Sequence, residues 1–419
     1  MPPSSSILPR FGRWPALVLS LLLVFRHDAR ADFLEKVHHT LSLNDSAHDF
    51  HLQLSGLVDV ETYFIDQPAP ALILTDRDFL LNPRLTLFLD VQVGPKIYFF
   101  AQTRMDRGFD PTDGGAEVRL DEYFLRYSPA TNVRFQIGQF ATVVGNWVQR
   151  HDSWQNPFIN APLPYENLTG IWDGWAPEDT DELLGWGHVG EYDNSDYSDK
   201  YMRNPIIWGP SYASGVAVSG SVGRFDYAAE MKNAALASRP ESWSVTQTGF
   251  DHPTFSSRLG FRPNEMWNLG ISGSAGPYFQ PVAASSLPLG RGISDYRELV
   301  LAQDISFAWH HLQIWAEFYE ARFEVPRIGN ADTFSYYLEA KYKITPQLFA
   351  ALRWNQQLFG TIRDEDERAK WGSDICRIDA ALGYWFTDYL QGKVQYSLSR
   401  QDSAQEGEHL LAAQLTAKF

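Results

Sequence analysis

The sequence predicts an all-β fold, a transmembrane antiparallel β-barrel of about sixteen strands with long extracellular loops and short periplasmic turns. Three observations predict it. Apolar and polar residues alternate with period two in segment after segment from Phe50 to Phe419. The connections between those segments alternate between short and long. Aromatic residues make up 14% of the chain, with 14 Trp, 19 Tyr and 27 Phe. Aromatic girdles at the two interfaces of a barrel account for such an excess. An aromatic-rich soluble sandwich or propeller is the competing fold, and detergent-free solubility would favour it.

The chain opens on a leader. Arg10 and Arg13 precede the apolar run from Trp14 to Phe25, and Ala29-Arg30-Ala31 follows as an A-x-A exit. A basic start, a short apolar core and a small-residue exit read as a secretory signal peptide over residues 1–31. A retained anchor is the alternative, but the run is short for a spanning helix. Cleavage would leave a mature chain starting near Asp32. No later stretch is long and apolar enough for a helical span, so the mature chain would cross a membrane only as a barrel. The expected location is a bacterial outer membrane. Residues 32–49 show no alternation, and Phe33, Val37 and Leu41 stand at helical spacing. A short periplasmic segment is expected there.

From residue 50 to 419 the strand pattern takes over. Leu85, Leu87, Leu89, Val91 and Val93 form one face, and Arg84, Thr86, Asp90 and Gln92 the other. Successive side chains of a strand point to opposite faces. One apolar face and one charged face suit lipid outside and water inside. The pattern recurs around Ala101, Phe135, Tyr227, Ile314, Leu338, Ile378 and Val394. Short connections such as Gly94-Pro95-Lys96, Pro263-Asn264-Glu265 and Thr387-Asp388 carry turn residues. Longer polar stretches lie at about 65–82, 107–116, 141–209, 234–252, 280–294, 325–332, 360–372 and 402–407. Long loops on one side and short turns on the other are the asymmetry of an outer-membrane barrel. The last segment places Leu411, Ala413, Leu415, Ala417 and Phe419 on one face. A terminal aromatic on an alternating strand is similar to the C-terminal signal of bacterial outer-membrane proteins.

Composition excludes other classes. A formal net charge of −16 argues against nucleic acid as a partner, which needs a basic face. Cys376 is the only cysteine, so no disulfide framework forms within one chain. The chain has no G-x-S-x-G and no H-E-x-x-H, and no catalytic residue or cofactor is assigned. The pairs His38-His39 and His310-His311 are adjacent. Neighbours on a strand or turn point apart, so no metal site is assigned either.

Residues 118–145 carry a family resemblance. Asp121-Glu122-Tyr123-Phe124-Leu125-Arg126-Tyr127 runs into a proline turn, and Arg134-Phe135-Gln136-Ile137-Gly138-Gln139-Phe140 follows, with Gly145 shortly after. This resembles the strand-turn-strand segment of the phosphate-selective porin O and P family, with Gln139 where lysine is common. The resemblance implies a sixteen-stranded barrel, a homotrimer, and a loop folded into the pore. Its phosphate-binding residues have no counterparts that map residue by residue, so phosphate selectivity does not carry over.

A barrel of this size encloses a water-filled lumen. The expected function is passive diffusion of small hydrophilic solutes, with membrane lipid and the solutes as partners. A polysaccharide-export, structural or adhesion barrel is the alternative. Expected pore-lining cations are Arg84, Arg104, Arg134, Arg258, Lys341, Arg353, Arg377 and Lys393. Rings of Arg or Lys favour anions, whereas pairing with wall carboxylates would only rigidify the barrel. The acidity of the chain sits in its loops. Residues Trp172, Asp173, Trp175, Asp179, Asp181 and Glu182 of the longest loop are candidates for a constriction, or for a site that takes sugars or Ca²⁺. A solvated outer loop is the competing reading.

Overall fold

The computed structural model describes residues 40–45, 49–67, 69–73, 75–107, 116–187, 202–240, 249–364, 367–402 and 407–419. The expected signal peptide, most of residues 32–49, and the acidic loop residues Glu191, Asp193, Asp196 and Asp199 lie outside the described residues.

The barrel strands are β1 (Phe50–Ile65), β2 (Phe79–Val93), β3 (Ile97–Asp106), β4 (Glu117–Ala130), β5 (Val133–Phe140), β6 (Ala213–Val222), β7 (Phe225–Lys232) and β8 (Thr254–Phe261). They continue as β9 (Trp267–Pro277), β10 (Arg297–Trp309), β11 (Leu312–Val325), β12 (Gly329–Lys343), β13 (Leu348–Phe359), β14 (Ile375–Thr387), β15 (Leu390–Gln401) and β16 (Glu408–Lys418). Each pairs antiparallel with the next, and β16 pairs antiparallel with β1, so the sheet closes without a free edge. The three-residue strand Ser42–Asn44 pairs antiparallel with β1, opposite His51 to Gln53.

Alternation explains the closure. In β13 the side chains of Phe349, Ala351, Arg353, Asn355, Gln357 and Phe359 are buried inside, while Leu352 and Trp354 face out and are exposed. Across the barrel the buried inward set is rich in polar and charged residues, including Glu317, Glu339, Arg353, Asp379 and Thr416. The exposed outward set is apolar, including Val60, Leu81, Ile137, Leu259, Ile271 and Leu382. A continuous apolar exterior of this extent is untenable in water and is satisfied by lipid. Tyr127, Phe225, Trp267, Trp309, Tyr342 and Tyr384 stand exposed close to the short turns. They form the girdle expected at the periplasmic interface.

The connections follow the sequence pattern with one correction. The stretch 325–332 is not a long loop: β11 and β12 continue through it and are joined by residues 326–328 alone. Its polar residues belong to strand ends, where Arg322 and Asp332 face each other as a bidentate outward pair at 2.6 and 3.0 Å. Polarity there marks the barrel rim rather than a loop. Of the longest connection, residues 141–212, the segments 142–167 and 203–212 fold into the lumen.

Phe419 extends the closing strand by a reciprocal backbone pair with Gly56, both hydrogen bonds being 3.0 Å. Its ring lies over Gly56, where an added Cβ would come within 2.6 Å of Phe419 Cζ and 2.8 Å of Thr86 O. Gly56→Val is therefore expected to lift the terminal ring and cost about 1–3 kcal/mol. The check is the temperature at which the compact, heat-modifiable band is lost on an SDS gel. An unchanged temperature would rule out a role for the ring in closure.

Candidate functional site

The lumen and the inserted loop form one site. The loop leaves β5 at Phe140 and turns at Gly145, where φ is +76° and a Cβ would overlap the Tyr319 and Tyr165 hydroxyls. Only glycine fits that approach. Gly138, at φ +142°, is held as tightly against the backbone of Tyr123 and Phe124.

Inward side chains then grip the loop's backbone. The Glu317 carboxylate of β11 accepts the Asn146 N–H, the Trp147 N–H (2.7 Å) and the Tyr165 hydroxyl (2.7 Å). Glu230 accepts the Thr142 hydroxyl (2.8 Å) and the Val143 N–H (3.2 Å). Gln395 accepts the Ile159 N–H (2.6 Å), and Asn355 accepts the Leu163 N–H (3.3 Å). Lys393 donates to three loop carbonyls, of Ser153 (2.7 Å), Asn156 (2.9 Å) and Phe158 (3.2 Å). Arg377 holds Glu166 and the Ala161 carbonyl. Arg353 ties Asn160 Oδ1 (2.6 Å) to Asp379 (2.8 Å). Arg150 reaches back to Glu339 and lies 4.3 Å over the Trp315 ring. Buried backbone groups need partners, and here the wall supplies them.

Burial shifts the titration of two of the loop's own groups. It lowers the His151 pKa, and the neutral ring fits its contacts: Nδ1 to the Val148 carbonyl at 2.6 Å and Nε2 to the Tyr212 hydroxyl at 2.8 Å. Burial also raises the Glu166 pKa, against the pull of Arg377.

The eight wall cations thus occupy three settings. Arg353, Arg377 and Lys393 lie buried beneath the loop. Arg84, Arg104 and Arg258 face carboxylates: Arg84 meets Asp59 at 3.2 Å and Glu61, Arg104 meets Asp121 at 3.1 Å, and Arg258 clasps Asp304 at 2.6 and 2.9 Å. Arg84 and Arg104 keep part of their side chains exposed, 20% and 26%. Lys341 and Arg134 belong to the short-turn half. Lys341 sits over the rings of Phe349 (4.3 Å) and Trp385 (5.0 Å), while Arg134 is exposed.

The acidic, aromatic stretch lies apart from these. Trp172 stacks on Trp186 at 4.4 Å, and Leu183 of the helix Thr180–Gly187 packs with Tyr278, Phe279 and Trp371 from two other long connections. The Asp173 carbonyl accepts the Gln280 N–H at 2.7 Å. Asp179 caps the helix through the Glu182 N–H (3.0 Å), and Glu182 accepts the Glu178 N–H (2.6 Å). Asp181 and Trp175 are exposed. This stretch forms a cap at the extracellular end. The segments packed against the wall are 142–167 and 203–212, which no local pattern singled out.

No protein-family model and no curated protein matches the sequence. Solved structures do match the fold. Salmonella typhi OmpF, in complex with daunomycin, aligns with a TM-score of 0.56 at 12% identity over 90% of this chain and 100% of that one. The outer membrane channel DcaP of Acinetobacter baumannii aligns at 0.54 and 11% identity, over 90% and 99%. An anion-selective porin from Comamonas acidovorans aligns at 0.54 and 10% identity, over 88% and 100%. With its closed ring of sixteen antiparallel strands and no described helix long enough to span, the chain has the fold of the outer-membrane porins.

Proposed function

We propose that this protein is an outer-membrane channel for passive diffusion of small hydrophilic solutes, with a preference for anions. One observation carries the reading: an apolar exterior encloses a charged interior, and a loop pinned inside narrows it. A charged wall is costly to build unless water and solutes occupy the space beside it. The preference rests on the short-turn half of the lumen. There Arg126, Arg134, Lys341 and Lys343 face inward and, among the described residues, form no ion pair. Solved structures of the same fold include channels and an anion-selective porin by description, which supports the class of function without transferring it. The likeness of residues 118–145 to the porin O and P segment supports a homotrimer. Both of its glycines, Gly138 and Gly145, stand where only glycine fits.

Planar-bilayer recording in asymmetric KCl tests this. A stable conductance with a reversal potential of anion-selective sign is expected. The doubly substituted Arg134→Gln, Lys343→Gln protein is expected to shift that potential toward zero. A cation-selective potential would refute the anion preference. A silent barrel would favour the structural or export reading, which the fully buried inner wall under the loop also suits.

A further inference from the structure

Three adjacent strands each turn one phenylalanine into the lumen: Phe88 of β2, Phe100 of β3 and Phe124 of β4. They occupy the face that otherwise carries Thr86, Asp90, Gln102, Arg104, Glu122 and Arg126. The ring centroids are 6.2 Å apart between Phe88 and Phe100, and 5.5 Å between Phe100 and Phe124. The rings therefore form one continuous ribbon. Phe88 and Phe100 are only half-buried. Gln102, the next inward residue of β3, donates to the loop's Tyr212 hydroxyl at 3.3 Å, so the ribbon starts directly beneath the inserted loop.

A cation closes its lower end. The Arg126 guanidinium lies 4.8 Å over the Phe124 ring and 5.5 Å over that of Tyr98. Its donors reach Gln136 at 2.9 and 3.1 Å, a neutral partner. Arg134 lies two residues from Gln136 on the same inward face of β5. Wall arginines such as Arg84, Arg104, Arg258, Arg353 and Arg377 each form an ion pair with a carboxylate, whereas these two form none among the described residues, the Glu122 carboxylate of β4 acting on Arg126 only at longer range. Apolar ring surface held against water, beside two guanidinium groups that form no ion pair among the described residues, is matched by a solute with an aromatic ring and a carboxylate.

We propose that the periplasmic half of the lumen holds a binding subsite for aromatic carboxylates. The solute ring lies on Phe88 and Phe100, and its carboxylate is directed toward Arg126 and Arg134. The subsite rests on the channel reading for its role in transport. As a binding site it stands on its own geometry.

Benzoate is the probe, and the full barrel in a planar bilayer with symmetric KCl is the system. Benzoate is expected to reduce or flicker the KCl current, and acetate at the same concentration to leave it unchanged. Phe100→Leu, which keeps an apolar side chain but removes the ring, is expected to weaken the block about tenfold. Arg126→Gln is expected to do the same. Each variant is first checked for the heat-modifiable band. Equal effects of acetate and benzoate, or a benzoate block unchanged in both variants, would overturn the subsite. So would block by maltose with none by benzoate, which would point to a sugar-binding ribbon. If no KCl current is seen, the channel reading fails. Calorimetric titration of benzoate into the detergent-solubilised barrel then decides the subsite alone: binding weakened in both variants supports it, and no binding overturns it.

Discussion

Glu317→Ala is expected to free the first third of the inserted loop. The carboxylate is fully buried and accepts from the backbone of Asn146 and Trp147 and from the Tyr165 and Tyr319 hydroxyls, the last at 3.1 Å. Alanine removes the shared acceptor and leaves two N–H groups without a partner. Each such group costs about 1–3 kcal/mol, so docking of the loop weakens by about 3–5 kcal/mol. The barrel ladder does not pass through this side chain, so the strands should persist. A larger single-channel conductance is expected, together with new protease cleavage within residues 141–212. Glu317→Gln keeps an acceptor and should fall between the two. Parental conductance and an unchanged cleavage pattern in the alanine variant would show that the loop is held elsewhere.

Arg377→Leu should be comparably damaging, and its defect should depend on pH. Arg377 is buried between Glu166 of the loop and Asp379 of its own strand, 3.1 Å from the latter. Removing it strands Glu166 as a buried charge, at a cost of about 3–5 kcal/mol. In the parent, burial already holds the Glu166 carboxyl above its ordinary range, with Arg377 pulling it back. Without Arg377 the folded state favours the protonated acid still more. A carboxyl raised in the folded state contributes stability below its unfolded pKa, and that contribution is lost as pH rises through the folded value. The variant should therefore be least impaired in mild acid and most impaired above neutrality. Melting of the heat-modifiable band across pH reads this out. Adding Glu166→Leu should recover most of the loss, since a buried pair can be replaced by apolar residues at little cost. A pH-independent defect would assign the effect to lost packing.

Some of this architecture is written locally and some is not. The strand pattern is local: the alternation from Leu348 to Phe359, or from Leu85 to Val93, needs only neighbours to be read. The rim between Val325 and Gly329 looks like a loop in the sequence because polarity marks both loops and the wet ends of strands. The aromatic ribbon had a local signal that alternation alone passes over. Phe88 falls between Thr86 and Asp90 on the polar face, and Phe100 and Phe124 likewise share that face with polar neighbours.

The loop's path had no such signal. Glu317 meets Asn146 across 171 residues, and Lys393 meets Ser153 across 240. Those pairings exist only because sixteen strands close into a ring and bring β11 and β15 opposite the end of β5. The sequence by itself determined a chain of alternating strands with apolar residues on one face and charge on the other, because the two faces of a strand are set by adjacent residues. Only the tertiary structure decided which inward charges are ion-paired, which lie beneath the loop, and which lie beside aromatic rings with no ion pair among the described residues. Pairing of charge depends on distances across the lumen, and no period along the chain encodes those.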